Sequence, residues 1–309
     1  MAKPRNDNID YAQYLALRFV NMVMQCWPVQ LNLRFAQLVG DVMFLVDKRH
    51  RKRAEHNIAR SFPHFTPAHV RRMARYSVRQ MTMLFIEVLF TTRLVRVDTF
   101  SRYVRFGNFR QTLGMLMQRH RGLIMITGHY GNWEILGYVM GTLGFPTVSV
   151  ARPLDNKYIN KWLLGVRERK GQRIVDKKGA TPIVTAALDA GGTVGFIADQ
   201  NAGPKGLFVD FFGRKASTYK SIGLLAMQYN VPVVIGYARR VGPNFEFEVG
   251  TQDIIDPSDW QNHDQPLHYI TQRYTKAIED FVAAEPGQYL WVHRRWKTRP
   301  KGEPPEAYD

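Results

Sequence analysis

The sequence predicts an α/β protein, a single domain with a mostly parallel central sheet flanked by helices. Two observations carry this. After Arg121, short apolar runs (GLIMITG, FPTVSVA, GTVGFIAD, VPVVIGYA and FEFEVG) alternate with longer mixed segments, as strands do when helices connect them. The chain has 309 residues, 45% hydrophobic and 22% charged, with no low-complexity tract or repeat, which suits one large buried core.

In chain order, residues 1–10 are polar and expected to be flexible, and the apolar stretch behind them has no small-residue cleavage site of the kind a secretory signal carries. From Tyr11 to Val46 apolar residues recur at helical spacing, with Leu15, Phe19, Met22 and Val23 on one side, and Pro28 divides the segment into two helices. Two basic stretches follow, KRHRKRAEHNIAR from Lys48 and VRRMARYSVR from Val70. An apolar helix beside such cations can lie in a lipid interface, each cation adding about 1 kcal/mol near anionic head groups. A solvated helix face over a core gives the same pattern. Residues 11–100 are therefore read as a helical, basic, membrane-associating region packed on the core, 101–300 as the α/β core, and 301–309 as a flexible tail. The longest uncharged runs, Phe19 to Leu33 and Ile135 to Ala151, are broken by prolines or glycines, so neither reads as a membrane-spanning helix.

Within the core, WEILGYVMGTL, NKYINKWLLGVRERK, PIVTAALDAG and TYKSIGLLAMQYN carry helical spacing between the strand-like runs. Functional groups are then expected at the carboxyl ends of the strands. The formal charge of +17, from 43 Lys and Arg against 26 Asp and Glu, attracts polyanions: nucleic acid, anionic lipid or an acidic protein. The single cysteine, Cys26, excludes an internal disulfide and a cysteine-rich zinc site, and is expected to be packed as a small hydrophobe.

The first core strand ends in TGHYGNWEILG, placing His129 in a turn and Glu134 near the start of the next helix. On a continuous helix residues five apart point about 140° away from each other, so a turn must bring them together, and Gly128 and Gly131 supply it. An imidazole whose second nitrogen donates to a carboxylate is held in one tautomer and becomes a better base for an alcohol. A histidine and a glutamate that merely cap a helix would show the same spacing. GxSxG, GxxxxGK[ST] and HExxH are absent, which disfavours a serine hydrolase, a P-loop enzyme and a zincin, and no metal site is expected. No known nucleic-acid module appears either.

GHYGNWE is followed in order by ARPLDNKYINKWLLGVRERKG, GFIADQNAGPKGLFVDFFGRKAST, VPVVIGY and PGQYLWVHRRWKTRP. The His-x4-Glu pair resembles the signature of the glycerolipid-type (lysophospholipid) acyltransferase superfamily, and the five ordered blocks resemble the lipid A biosynthesis lauroyl/myristoyl acyltransferase family. This resemblance covers the chain from about residue 10 onward. It implies acyl transfer from an acyl-carrier-protein (or CoA) thioester, used as co-substrate with no further cofactor, to a hydroxyl of a lipid A precursor at the cytoplasmic face of the bacterial inner membrane. Relatives sharing these blocks also act on phosphoinositol mannosides and other lysolipids. The resemblance assigns catalysis to His129 and Glu134, and substrate binding or site integrity to Arg152, Arg167, Arg169 and Asp199. It favours lipid and an acidic carrier protein over nucleic acid as partners; a non-enzymatic basic membrane-surface or nucleic-acid-binding protein is the competing reading.

The residues themselves are compatible with this assignment. Hydroxyl attack on a thioester builds charge on the carbonyl oxygen, and arginines from ARP and VRERK can meet it or clamp phosphates. Asp199 ends the GFIAD strand ahead of a loop, Gln200, Asn201 and Gly203, expected to be exposed; a turn or capping role is the alternative. Pro232 is expected to shape the sheet edge. HRRWKTRPKG, with Trp291 before it and Trp296 inside, reads as a cationic tail able to stack on bases, anchor in lipid or receive an acidic carrier.

Overall fold

The computed structural model describes residues 6–118 and 121–304. Of the expected flexible ends, 1–5 and 305–309 lie outside the described residues. Helix α1 (Asp7–Gln25) starts ahead of the expected boundary because Asn6 caps it, its side chain accepting from the amides of Asn8 and Ile9. Pro28, extended at φ −58° and ψ 141°, separates α1 from α2 (Val29–Val46), as expected. Asp47 caps α3 (Lys48–Ser61) and Thr66 caps α4 (Pro67–Leu94), which carries proline in its first turn. Helix α2 lies along α4. At their closest approach a Cβ on Gly40 would stand 2.8 Å from the Arg79 Cα, and Asp41 is clamped by Arg75 and Arg79.

The outer face of α2 is left bare: Leu31, Phe35, Leu38, Val42, Leu45 and Val46 form an exposed stripe at heptad-like spacing. This helix is long and apolar enough to cross a membrane by length and composition, although its other face is buried against protein. Arg34 and Asp41 kept it out of the uncharged runs in the sequence. Cys26, expected to be packed, is exposed at the end of α1, its thiol donating to the Met22 carbonyl of that helix.

The core follows as β1 (Val104–Phe106), α5 (Arg110–Gln118), β2 (Leu123–Thr127), α6 (Trp133–Thr142), β3 (Thr147–Ala151), α7 (Lys157–Arg167), β4 (Arg173–Asp176), α8 (Thr181–Asp189) and β5 (Thr193–Ile197). A hairpin, β6 (Leu207–Phe211) and β7 (Arg214–Thr218), then leads to α9 (Ser221–Tyr229), β8 (Val233–Arg240), β9 (Phe247–Ile255), the short α10 (Pro257–Trp260) and α11 (Pro266–Ala284). The main sheet runs β1-β9-β8-β2-β5-β3-β4, and every pairing is parallel except β8 with β9. Both faces are covered. Ile124 and Ile126 of β2 enter the core shared with α3, α8, α9 and α11, while Leu123 and Met125 enter the one shared with α2 and α6.

Strand β8 is interior, so Pro232 does not shape a sheet edge. It precedes the strand, where its missing N–H costs no ladder bond, and its carbonyl accepts from the Ile124 amide at 3.1 Å. The cation-rich C-terminal block is not a tail either. Trp291, Arg295 and Trp296 are among the most deeply buried side chains, which removes both tryptophans from base stacking, lipid anchoring or carrier docking.

Candidate active site

Strand β2 lies at the centre of the sheet between β5 and β8, and the chain leaves its carboxyl end through residues 128–132 to enter α6. Gly131 adopts φ +55°, and a Cβ there would lie 2.1 Å from the Ala238 carbonyl oxygen, so only glycine fits this turn. Asn132 locks the turn from below. Its Oδ1 accepts from the Ile135 amide, its own amide donates to Ala238, and its Nδ2 donates to Glu87 at 2.8 Å. Glu87 in turn receives Arg240 Nε at 2.6 Å and Nη2 at 2.7 Å, a buried ion pair between α4 and β8. The Gln288 side chain pins both backbone groups of Arg240. Residues after α11 run alongside the turn, Gly131 donating to the Gln288 carbonyl and Leu290 to that of His129, both at 3.0 Å.

The carboxylate on the His129 ring is that of Asp199, just beyond β5. Nδ1 stands 2.7 Å from Asp199 Oδ1, and the His129 amide donates to Oδ2 at 2.8 Å. An ionised carboxylate only accepts, so Nδ1 carries the hydrogen, and in the neutral ring Nε2 has the lone pair. Nε2 faces the side-chain amide of Gln200 at 3.4 Å. Burial opposes the charge on Asp199, yet the His129 ring, its two hydrogen bonds and nearby His293 hold the carboxyl well below the usual range. Trp133 and His293 contact the His129 ring in T-shaped geometry, with centroids at 4.8 and 4.6 Å. Burial, reinforced by His129 and opposed by Asp199, pushes His293 down to about 4.

Glu134 sits in the first turn of α6, and Arg167, at the end of α7, grips its carboxylate through Nε at 2.7 Å and through Nη2. The expectation that Glu134 orients His129 is thus corrected: Asp199 does so. Neighbouring parallel strands β2 and β5 deliver their following residues to the same point, a contact 70 residues apart in sequence. Arg167 is brought to Glu134 and paired with it. Arg152 is a surface side chain paired with Asp155 at 3.3 Å, and Arg169 is exposed in the turn after α7, its charge felt by Tyr138. Gln200 is exposed as expected, whereas Asn201 and Gly203 are partly covered.

His293, Trp133 and the Glu87–Arg240–Asn132 support carry no local sequence signal that marks them as part of this site. His293 lies within a block singled out in the sequence, but its density of cations reads there as a tail for base, lipid or carrier contact. Arg295 shows why that reading failed: it is buried and donates to the Ser217 carbonyl, Thr218 Oγ1 and the Gln200 carbonyl, tying the Gln200 loop to the hairpin.

The family model for the bacterial lipid A biosynthesis acyltransferases matches residues 2–298. The lipid A biosynthesis lauroyltransferase of Escherichia coli (strain K12) is 24% identical over 298 residues, 94% of this chain and 93% of its own length. The palmitoleoyltransferase of the same organism is 26% identical over 261 residues, covering 83% and 81%. The myristoyltransferase is 29% identical over 193 residues, covering 61% and 57%. With its α/β core and this match across nearly its whole length, the chain belongs to the bacterial lipid A biosynthesis acyltransferase family and is an enzyme that transfers acyl groups.

Proposed function

We propose that this enzyme moves a fatty acyl chain from an acyl-carrier-protein thioester to a hydroxyl of a lipid A precursor, at the cytoplasmic face of the bacterial inner membrane. The observation that carries the reading is the His129–Asp199 pair, which leaves Nε2 as a proton acceptor beside an exposed rim. The acceptor hydroxyl gives its proton to Nε2 as its oxygen bonds to the thioester carbon. The tetrahedral intermediate then collapses, the C–S bond breaks, and the departing sulfur takes the proton back from the imidazolium, whose charge Asp199 stabilises. The thioester is already activated, so no further cofactor is needed. Glu134 acts through Arg167: the carboxylate holds the Nε/Nη2 edge of the guanidinium, leaving Nη1 outside that fork to meet developing negative charge or a lipid phosphate.

The bare stripe on α2 and the exposed Leu15, Phe19 and Met22 on α1 support contact with lipid, and the cations of α3 follow the stripe directly, as anionic head groups require. The net charge of +17 suits an acidic carrier protein as well as this membrane. The test supplies purified protein with acyl-carrier-protein and CoA thioesters of several chain lengths and with extracted membrane lipids. Mass spectrometry should find one added ester-linked acyl chain on a lipid A precursor with the carrier-protein donor. Acylation of another lipid class in its place would overturn the acceptor assignment.

A further inference from the structure

One polar group beside His129, the His293 imidazole, takes no part in the proposed proton transfer. His293 is largely covered, and its Nε2 is buried without a hydrogen-bond partner. Leaving such a group unpaired costs about 1–3 kcal/mol, which phenylalanine or leucine would avoid. The residue is nevertheless held firmly. Its amide donates to the Leu290 carbonyl at 3.2 Å, its carbonyl accepts from Asn57 Nδ2 at 3.2 Å, and Leu290 itself donates to His129. Its ring therefore travels with the His129 turn.

Asp199 fixes one end of the His129 ring but leaves the ring free to swing about the Nδ1 hydrogen bond. Contacts on the ring oppose that swing. His293 and Trp133 meet it at interplanar angles of 72° and 69°. We propose that His293 is a positioning residue for proton transfer, setting the plane of the His129 ring so that Nε2 stays aimed at the Gln200 rim while Nδ1 stays on Asp199. This rests on His129 being the proton acceptor. Charge supports it. The groups acting on His293 are His129 and Asp199, and burial keeps His293 neutral near pH 7. Asp199 is hydrogen-bonded to His129 and reaches His293 only through its field, so the proton taken from substrate goes to His129.

The experiment compares the full-length enzyme with His293→Ala, His293→Phe and His129→Ala, measuring kcat, KM and the pH profile of kcat, with ¹⁵N spectra of the His129 side chain. His293→Ala should lower kcat roughly 10–100-fold, the scale of a misplacement near 1 Å, with KM within about twofold. Its His129 spectrum should keep the Nδ1–H tautomer that Asp199 holds, while the Nε2 resonance broadens as the ring swings. His293→Phe, which keeps a ring in place, should recover kcat to within about threefold with the acid limb of the profile unmoved. If the alanine variant does not fold, His293→Asn supplies the same kcat and KM comparison. Wild-type kcat in the truncated variant overturns the proposal. So does a phenylalanine variant as inactive as His129→Ala with its acid limb gone, since His293 would then exchange the proton itself. An active His129→Ala enzyme refutes the base assignment instead, a separate result.

Discussion

Replacing Asp199 by asparagine tests the site at its centre. The side chain keeps its shape, and its Oδ1 can still accept from the His129 amide, now 2.8 Å from the carboxylate. What changes is the partner of Nδ1 at 2.7 Å: the position holds an NH₂ donor, which turns Nδ1 into the acceptor and moves the ring hydrogen to Nε2. The nitrogen facing Gln200 then has no lone pair for the substrate hydroxyl, and the imidazolium loses its buried counter-charge. Losses of roughly 10³–10⁴-fold in kcat accompany this tautomer change in histidine–carboxylate enzymes, or about 4–5.5 kcal/mol of transition-state stabilisation. The assay follows transfer of labelled acyl chain from carrier protein to lipid acceptor, with circular dichroism confirming the fold. Glu134→Gln, in contrast, leaves His129 oriented and should chiefly weaken substrate binding through Arg167. Asp199→Asn activity within threefold of wild type, with Glu134→Gln abolished, would refute the assignment and restore Glu134 as the partner of His129.

Glu87→Ala strands the Arg240 guanidinium and the Asn132 amide in the core, and should cost roughly 3–5 kcal/mol in urea unfolding; the double variant with Arg240→Met should recover part of the loss. His293 has its folded-state pKa lowered to about 4 from 6.5, so as pH falls the unfolded chain binds the proton first. Its contribution is intact above pH 6.5 and is lost progressively down to pH 4, roughly 3 kcal/mol in all, so His293→Phe should flatten the fall in urea midpoint across that window. Leu38→Glu with Val42→Glu places charge on two exposed positions of α2; stability should hold, while partition to anionic phosphatidylglycerol vesicles should drop about tenfold or more. Unchanged partition would remove this face from the membrane contact.

Much of the architecture is legible in local pattern. Strands β2, β5 and β8 appear as continuous apolar runs because both sheet faces are covered, and Pro28 marks the break between α1 and α2. Strand β1, with three residues, is too short to show a period. The β6–β7 hairpin turns at Phe212 and Gly213 with φ of 51° and 67°, and without a flanking Asn-Gly or Asp-Gly signal the turn is hard to see in sequence. Buried charge misleads composition-based reading further: Arg240 and Arg295 look like solvated cations until Glu87, Ser217 and Thr218 are brought to them.

The sequence by itself determined the α/β class, the placing of His129 at the carboxyl end of a central strand, the family resemblance and the excess of positive charge, because each is written in local spacing, ordered blocks or composition. Which carboxylate serves His129 was decided by tertiary structure. Glu134 stands five residues away but is claimed by Arg167, whereas Asp199 arrives from the neighbouring strand β5 and His293 from beyond α11. Hydrogen bonds of this kind act over about 3 Å of space, and sheet order sets that distance independently of sequence separation.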